Sequence, residues 1–521
     1  MDTKIKEKLI KSINDIKPDN KNGIYSTNLY WSKKPYNIAD EIITTFTKKG
    51  DVVFDPFMGS GVSVIQALVN SRDAIGVDIN KIPHFMVETI INSKKLNLNI
   101  LNTTLESIMR LQRYYKYQKS DDIIVKIIYD LEPNMKIKKV FVREENNKKL
   151  TEVNYKGSFN DLLITNYELV NLDDYELIEN SRIAVKKGMK LSSVFSNRNL
   201  KVLDEIYGYI KGLPNNYEKS VLMYNLVSVV HMARIQDVKM SSQWPLWIPK
   251  KNCLERNVVD LFFKRWKKLV VEVEKFSLKH SLSHECTLFQ KPIQSISEKE
   301  VPSNSVDLVL TDPPYMAQVP YSEYMQLYAA FFPKGINFDD EIVISNAPNR
   351  KKTEVKYFDL LSEAFNNTSR VMKNESYMFM YFHDINLKYW DKIMDIMESA
   401  GLSFSGIVHI KKSTYTLKKI LSPKKTLNGD AIWIFQNRNR LMLTSSLSIA
   451  EQEKAICNFA LKLIESKGPL STTDIYDFGT MEFLISEGML KQMAKKHNDL
   501  TTILEHKLKW NVDLQKWGKK D

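Results

Sequence analysis

Val52-Val53-Phe54-Asp55-Pro56-Phe57-Met58-Gly59-Ser60-Gly61 decides how this chain is read. Val52-Val53-Phe54 is a short apolar run, with the turn Gly50-Asp51 before it and Asp55-Pro56 after it. Such a run predicts a strand buried on both faces, as in a parallel sheet. Val62 to Val69 then carries Val64, Ile65 and Leu68 at helical spacing, and Ala74-Ile75-Gly76-Val77-Asp78 is a second buried strand. Strand, glycine turn, helix and strand in this order make a βαβ unit. Gly59 and Gly61 lie at the strand-to-helix turn, where glycine lets the backbone approach a ligand closely. Asp78 ends the next strand, 17 positions after Gly61. A carboxylate there can accept both hydrogen bonds of a ribose diol. The third glycine of Gly-x-Gly-x-x-Gly is missing, since position 64 is valine, and the loop has no phosphate-binding lysine. A nucleoside without phosphates is the expected ligand. The plain alternative is a glycine turn in an unrelated α/β domain.

The same pattern returns far along the chain. Ser305-Val306-Asp307-Leu308-Val309-Leu310 reads as a strand that ends in Thr311-Asp312-Pro313-Pro314-Tyr315. Open α/β sheets place ligand groups at such strand ends. Two prolines fix φ and lack N–H donors, so this turn's carbonyls are not expected in a ladder. A carboxylate and a carbonyl held at fixed separation match the two donors of an exocyclic amine. Tyr315 adds a flat face for a planar base, a contact worth ~1–3 kcal/mol. On that reading its hydroxyl is dispensable. Further on, the pattern predicts a helix over 360–371, a strand over 377–382, a helix over 389–399 and a strand over 404–410.

These two motifs together resemble the S-adenosylmethionine-dependent DNA amino-methyltransferases, which modify N6 of adenine or N4 of cytosine. Asp55-Pro56-Phe57-Met58-Gly59-Ser60-Gly61 resembles that group's cofactor motif, and Asp312-Pro313-Pro314-Tyr315 its catalytic motif. Lys33-Lys34-Pro35 resembles an extra motif on the cofactor side, and Val319-Pro320-Tyr321-Ser322-Glu323-Tyr324 a segment that follows the catalytic motif in one bacterial subfamily. The resemblance covers roughly 24–95 and 285–415. It implies a Rossmann-like class I methyltransferase fold of α/β type, with a large insertion and a helical C-terminal region. It implies cofactor contacts from Asp55, Phe57, Gly59, Gly61 and Asp78, and catalytic roles for Asp312, Pro313, Pro314 and Tyr315. An aspartate in first place is closer to the adenine enzymes than to the cytosine ones. Where many relatives carry an acid against the cofactor's adenine, the corresponding stretch is Thr287-Leu288-Phe289-Gln290-Lys291-Pro292, and Gln290 is the available substitute.

Gly61 and Asp312 are 251 positions apart, far more than a minimal sheet needs. The expected organisation is a cofactor half over 20–100, an inserted target-recognition region over 101–285, a catalytic half over 286–440 and a helical region over 441–521. The insertion mixes bases with aromatics at Arg110, Arg113, Tyr114, Tyr115 and Tyr117. Its stretch 181–200 holds Arg182, Lys186, Lys187, Lys190 and Arg198 without an acid. That content suits phosphate contacts and base stacking, although a solvated basic face has the same composition. A second basic run includes Lys418, Lys419, Lys424 and Lys425, as a DNA-backbone clamp or a solvated loop.

The 521 residues are 43% apolar and 26% charged, an ordinary globular mix. Lys and Arg number 75 against 62 Asp and Glu, a net charge of +13 that favours a polyanionic partner such as duplex DNA. Three scattered cysteines exclude a disulfide framework. His280, His284 and Cys286 have metal-like spacing but no second ligand pair, so they read as surface groups, and no metal is required. Neither a membrane span nor a secretory leader is apparent, so a cytoplasmic location is expected. Any restriction or defence subunit would be another chain. Alternatives that share these features are an N4-cytosine enzyme, an RNA base methyltransferase, a protein glutamine methyltransferase (which carries Asn in place of Asp312) and a non-catalytic DNA-binding subunit.

Overall fold

The computed structural model describes residues 3–27, 30–117, 122–144, 149–155, 168–239, 246–280, 282–410, 420–438 and 443–520. In chain order the strands are β1 (Val52–Asp55), β2 (Asp73–Asp78), β3 (Ile123–Asp130), β4 (Lys136–Arg143), β5 (Leu150–Val153), β6 (Gln236–Asp237), β7 (Cys253–Arg256), β8 (Cys286–Gln290), β9 (Val306–Thr311), β10 (Met372–Tyr381), β11 (Leu402–Ile410), β12 (Asp430–Asn437), β13 (Leu508–Asn511) and β14 (Lys516–Lys519).

Seven of them form one sheet in the order β8-β2-β1-β9-β10-β12-β11. All neighbours run parallel except β12, which is antiparallel to both β10 and β11. The chain walks outward from β1 to β2 and β8, returns to β9, and then walks the other way. The reversal falls between β1 and β9, paired through Val53↔Leu308 and Phe54↔Val309. That is where an open α/β sheet has its ligand crevice. This architecture is a Rossmann-like α/β fold of the class I methyltransferase kind, as the sequence implies.

The strands read as apolar runs because both faces are covered. Val53, Leu308, Leu310 and Phe379 face one buried cluster, while Phe54, Val309, Met378 and Met380 face the other. The first cluster is continuous with the insertion, through residues such as Leu222, Leu226 and Phe262. The second is continuous with the C-terminal region, through Ile456, Leu484 and Leu504. The insertion leaves the sheet after the helix Lys81–Ile91 and returns at β8. It carries its own sheet, β5-β4-β3-β7-β6. Its long helices Tyr217–Ala233 and Val258–Lys279 share the apolar cluster on one face of the seven-stranded sheet. The C-terminal region is helical and closes with the β13–β14 hairpin.

Several sequence expectations change here. The strand β12 is absent from the sequence reading, although Ala431-Ile432-Trp433-Ile434-Phe435 is wholly buried and flanked by Gly429 and Asn437. Arg198 is no phosphate contact, because it is buried with Glu255 at 2.8 Å. Tyr115 and Tyr117 are core residues, the former donating its hydroxyl proton to Asn199 at 2.7 Å, so neither presents a stacking face. Arg113 is paired with Glu205. Arg182, Lys186, Lys187 and Lys190 are exposed. Lys418 and Lys419 lie outside the described residues. Lys424 is drawn to Glu505 and lies over the Trp517 ring, which ties it to the C-terminal region, while Lys425 is exposed. His284 pairs with Asp73 at 3.1 Å, and the trio His280, His284 and Cys286 forms no ligand cluster among the described residues. Among the described residues no helix is long and apolar enough to cross a membrane.

Gly61 has φ +74, and a Cβ there would stand 2.3 Å from Val87 Cγ2, so its helix can only seat on Lys81–Ile91 without a side chain. Gly188 has a similar φ of +79 in open space. Gly61→Ala should therefore cost more stability than Gly188→Ala. Left-handed strain alone is worth about 1–3 kcal/mol, and overpacking adds a comparable amount. Chemical denaturation of the two variants measures the difference.

Candidate active site

The cleft at the carboxyl ends of β1 and β9 is built around the Asp55 carboxylate. Its Oδ1 accepts from Phe57 N at 3.0 Å and from Thr311 Oγ1 at 2.7 Å, and its Oδ2 accepts from Ser63 Oγ. One buried acid thus fixes the glycine loop, holds the Ser63 hydroxyl at the start of the next helix and ties β1 to β9. Burial lifts its carboxyl to about 6, against the pull of the Ser63 and Thr311 hydroxyls. Asp55 borders the cleft, but its bonds are spent inside the loop.

Phe57, Gly59 and Asp78 line the cleft with it. Gly59 has φ +46 and is covered by the Tyr30 ring, which a Cβ would meet at 3.0 Å. Gly61 works behind the loop, by helix packing. Asp78 Oδ1 accepts from Asn80 N at 2.8 Å, and burial raises its carboxyl to about 7. Gln290 pairs in register with Asp78 at the sheet edge, but Lys291, Ile293 and Gln294 line the cleft from this side. Gln294 Oε1 is buried with no hydrogen-bond partner among the described residues. It lines the cleft where Gln290 does not, and it lies four residues beyond the position that the sequence pattern singles out.

Asp312 and Pro314 face the same cleft. Tyr315 Oη donates to Asp312 Oδ1 at 2.6 Å, and its ring stands edge-on to Phe382, with centroids 5.6 Å apart at 88°. The hydroxyl therefore has a task, contrary to the expectation that only the ring matters. Tyr357 Oη donates to the Pro314 carbonyl at 2.8 Å and holds the turn from behind. Lys33 and Lys34 part company: Lys33 Nζ reaches the Tyr25 carbonyl, whereas Lys34 Nζ lies 3.2 Å from Asp312 and 3.6 Å from Asp430. Lys34 also sits over the Tyr381 ring at 4.8 Å. Burial opposes its charge, but Asp312 and Asp430 outweigh burial and lift the ammonium above its ordinary range. Burial also pushes Asp312 upward, countered by Lys34 and by the hydrogen bond from Tyr315. Tyr30 and Tyr321 stack 5.8 Å apart at the cleft wall.

Behind the catalytic turn, Glu323 is fully buried. It accepts from Arg350 at 2.7 Å and from Asn180 of the insertion at 2.6 Å, and Arg350 reaches Glu341 at 2.6 Å. The insertion thus touches the segment that follows Asp312-Pro313-Pro314-Tyr315.

A family model for DNA methylases of the N6/N4 methyltransferase type matches residues 3–88. Over this stretch, which holds the glycine loop and Asp78, the chain is similar to the N6/N4 DNA amino-methyltransferases. It is 45% identical over 47 residues to the orphan methyltransferase M.BamHII of Bacillus amyloliquefaciens, a match that takes in 9% of this chain and spans only 18% of that relative. It is 22% identical over 411 residues to the type II methyltransferase M.MjaII of Methanocaldococcus jannaschii, covering 72% of this chain and 71% of that relative. Two solved structures share less. A candidate DNA modification methylase of Thermus thermophilus is 13% identical over 32% of this chain and 59% of its own, with a TM-score of 0.15. A candidate class I S-adenosylmethionine-dependent methyltransferase of Listeria monocytogenes is 14% identical over 34% and 45%, with a TM-score of 0.17. The fold assignment rests on the strand order rather than on these scores.

Two outcomes follow for an amino-methyltransferase site of this geometry. A ribose diol needs Asp78 ionised, so binding releases a proton from a carboxyl that titrates at about 7. Affinity for S-adenosylhomocysteine should be constant above that pH and fall below it, by up to about tenfold per unit. Calorimetry across pH 5.5–8.5 (roughly the range in which such a group changes charge) checks this, and Asp78→Asn should flatten the profile. Tyr315→Phe should lower methyl-transfer kcat by up to about tenfold, the worth of one hydrogen bond to Asp312.

Proposed function

We propose that this chain transfers the methyl group of S-adenosylmethionine to N6 of an adenine flipped out of duplex DNA. The observation that carries the reading is the meeting of two motifs in one cleft. Asp55 accepts a hydrogen bond from Thr311, the residue before Asp312, so the cofactor loop and the catalytic turn are one rigid unit.

The residues present suit the cofactor. Asp78 offers acceptors for the ribose, Gly59 leaves the loop backbone open, and Gln294 brings an unsatisfied buried amide to the adenine end. Bound there, S-adenosylmethionine supplies a methyl group already activated on a sulfonium, so the protein's task is chiefly positioning. Asp312 and the Pro313 carbonyl accept hydrogen bonds from the amine and direct its lone pair along the attack line. Lys34, 3.2 Å away, favours the ionised form of Asp312 against its burial, and Tyr315 fixes that carboxyl's rotation. A paired base cannot reach this depth, so the target leaves the stack at a cost of a few kcal/mol.

Duplex DNA is the proposed partner. The exposed Arg182, Lys186, Lys187 and Lys190 lie next to Asn180, which touches the catalytic segment, and they are placed to hold phosphates near the site. The insertion, 101–285, is the proposed target reader. Lys424 and Lys425 belong to a second, weaker candidate contact. Membership of a restriction-modification pair and a cytoplasmic location both fit this activity.

Tritium transfer from labelled S-adenosylmethionine to duplex DNA, RNA and protein tests the substrate class, and nucleoside analysis of the product separates N6-methyladenine from N4-methylcytosine. Asp312→Ala should abolish transfer while S-adenosylhomocysteine affinity stays within about threefold, because the lost contact is made in the transition state. Near-wild-type transfer by that variant overturns the reading.

A further inference from the structure

Away from the cleft, three side chains from distant parts of the chain meet in the interior. His383 follows the end of β10, His409 lies on β11, and Asp477 comes from the segment Tyr476–Thr480 of the C-terminal region. Their side chains are 7%, 10% and 3% exposed. One ligand atom from each lies within 4.8 Å of the other two. His383 Nε2 approaches Asp477 Oδ1 to 3.3 Å, and His409 Nδ1 approaches Asp477 Oδ2 to 2.8 Å.

The contacts are close but not aligned as hydrogen bonds. His383 Nε2, His409 Nδ1 and Asp477 Oδ2 are all buried without a hydrogen-bond partner among the described residues. Orphaned atoms of this kind are rare in a folded interior and call for an explanation. Asp477 stands between the two imidazoles, within ion-pair reach of both, and one ligand atom of each residue lies close enough to share an ion. The other nitrogen of His383, Nδ1, faces the Gly429 carbonyl at 3.3 Å. With its proton given to that carbonyl, His383 turns the lone pair of Nε2 inward, the outer-shell arrangement that metal-ligating histidines use. The backbone is also shaped for this meeting. Phe478 and Gly479, with φ +107 at Gly479, break the helix just after Asp477.

We propose that His383, His409 and Asp477 bind a divalent ion of the zinc type. Two imidazoles and one carboxylate are an ordinary donor set for zinc, and three protein ligands leave a fourth position for water. The ion would fasten the C-terminal region to the carboxyl end of the sheet. It would also brace the start of β12, because Gly429 precedes Asp430, the second carboxylate beside Lys34. The site is independent of the methyl-transfer reading, since none of its three ligands lines the cleft.

Metal analysis of the full chain, produced without an affinity histidine tag and equilibrated with zinc before desalting, tests the proposal. The expected result is about one zinc per chain. Asp477→Asn, which keeps the shape but exchanges one acceptor oxygen for an NH2 donor, should lose the metal while its circular dichroism stays that of the wild type. Cobalt(II) in place of zinc should give visible d–d absorption that His409→Ala lacks. Removal of the metal with a chelator should lower the melting temperature of the wild type and leave Asp477→Asn unchanged, since only a native-state ligand stabilises. Wild-type protein that retains no more zinc than Asp477→Asn, and shows no cobalt bands, overturns the proposal. The trio is then a carboxylate held between imidazoles.

Discussion

The carboxylate of Asp55 ties the glycine loop to the strand that ends at Asp312. It is one acid with three donors: a loop amide, the hydroxyl of Ser63 at the start of the next helix and the hydroxyl of Thr311 on the neighbouring strand. A buried carboxylate without those bonds would be costly. With them it makes the ends of β1 and β9 a single piece, so that the loop beside Gly59 and the turn beginning at Asp312 keep a fixed spacing. Methyl transfer depends on in-line geometry, where small displacements are expensive. A clasp shorter than any loop is a direct way to hold it.

A second constraint is charge. Asp312 and Asp78 line the buried cleft, Asp430 stands beside it, and Lys34 meets two of these three carboxylates. Burial raises the Asp312 carboxyl above its ordinary range. Lys34 offsets this, while Tyr315 orients the oxygen that Lys34 approaches. The side chains that flank Asp312 therefore matter for its protonation as well as its position.

Much of this is legible in the chain itself. The strands around Val52–Phe54 and Ser305–Leu310 announce themselves as apolar runs bounded by turns, because both of their faces are buried. Asp78 and Asp312 stand out by ending such runs. What escapes depends on long-range contact. Lys33 and Lys34 read as one motif, yet one reaches a carbonyl and the other reaches Asp312. Gln294 lies beyond a proline turn whose path only the packed sheet fixes. Arg198 and Tyr115 have the composition of nucleic-acid contacts, since a buried ion pair and an exposed one look alike in a sequence. His383, His409 and Asp477 are separated by 26 and 68 positions, and no local spacing rule relates them.

The insertion's share in the core has a consequence for how specificity could change over time. A self-contained reading module can be exchanged between relatives as a block. Here Leu222, Leu226 and Phe262 complete the apolar layer beneath the sheet, and Asn180 completes the polar shell of Glu323. Exchange of the whole block would expose one and orphan the other. The exposed side chains of Arg182, Lys186, Lys187 and Lys190 lie outside both, and substitutions there leave the buried scaffold in place.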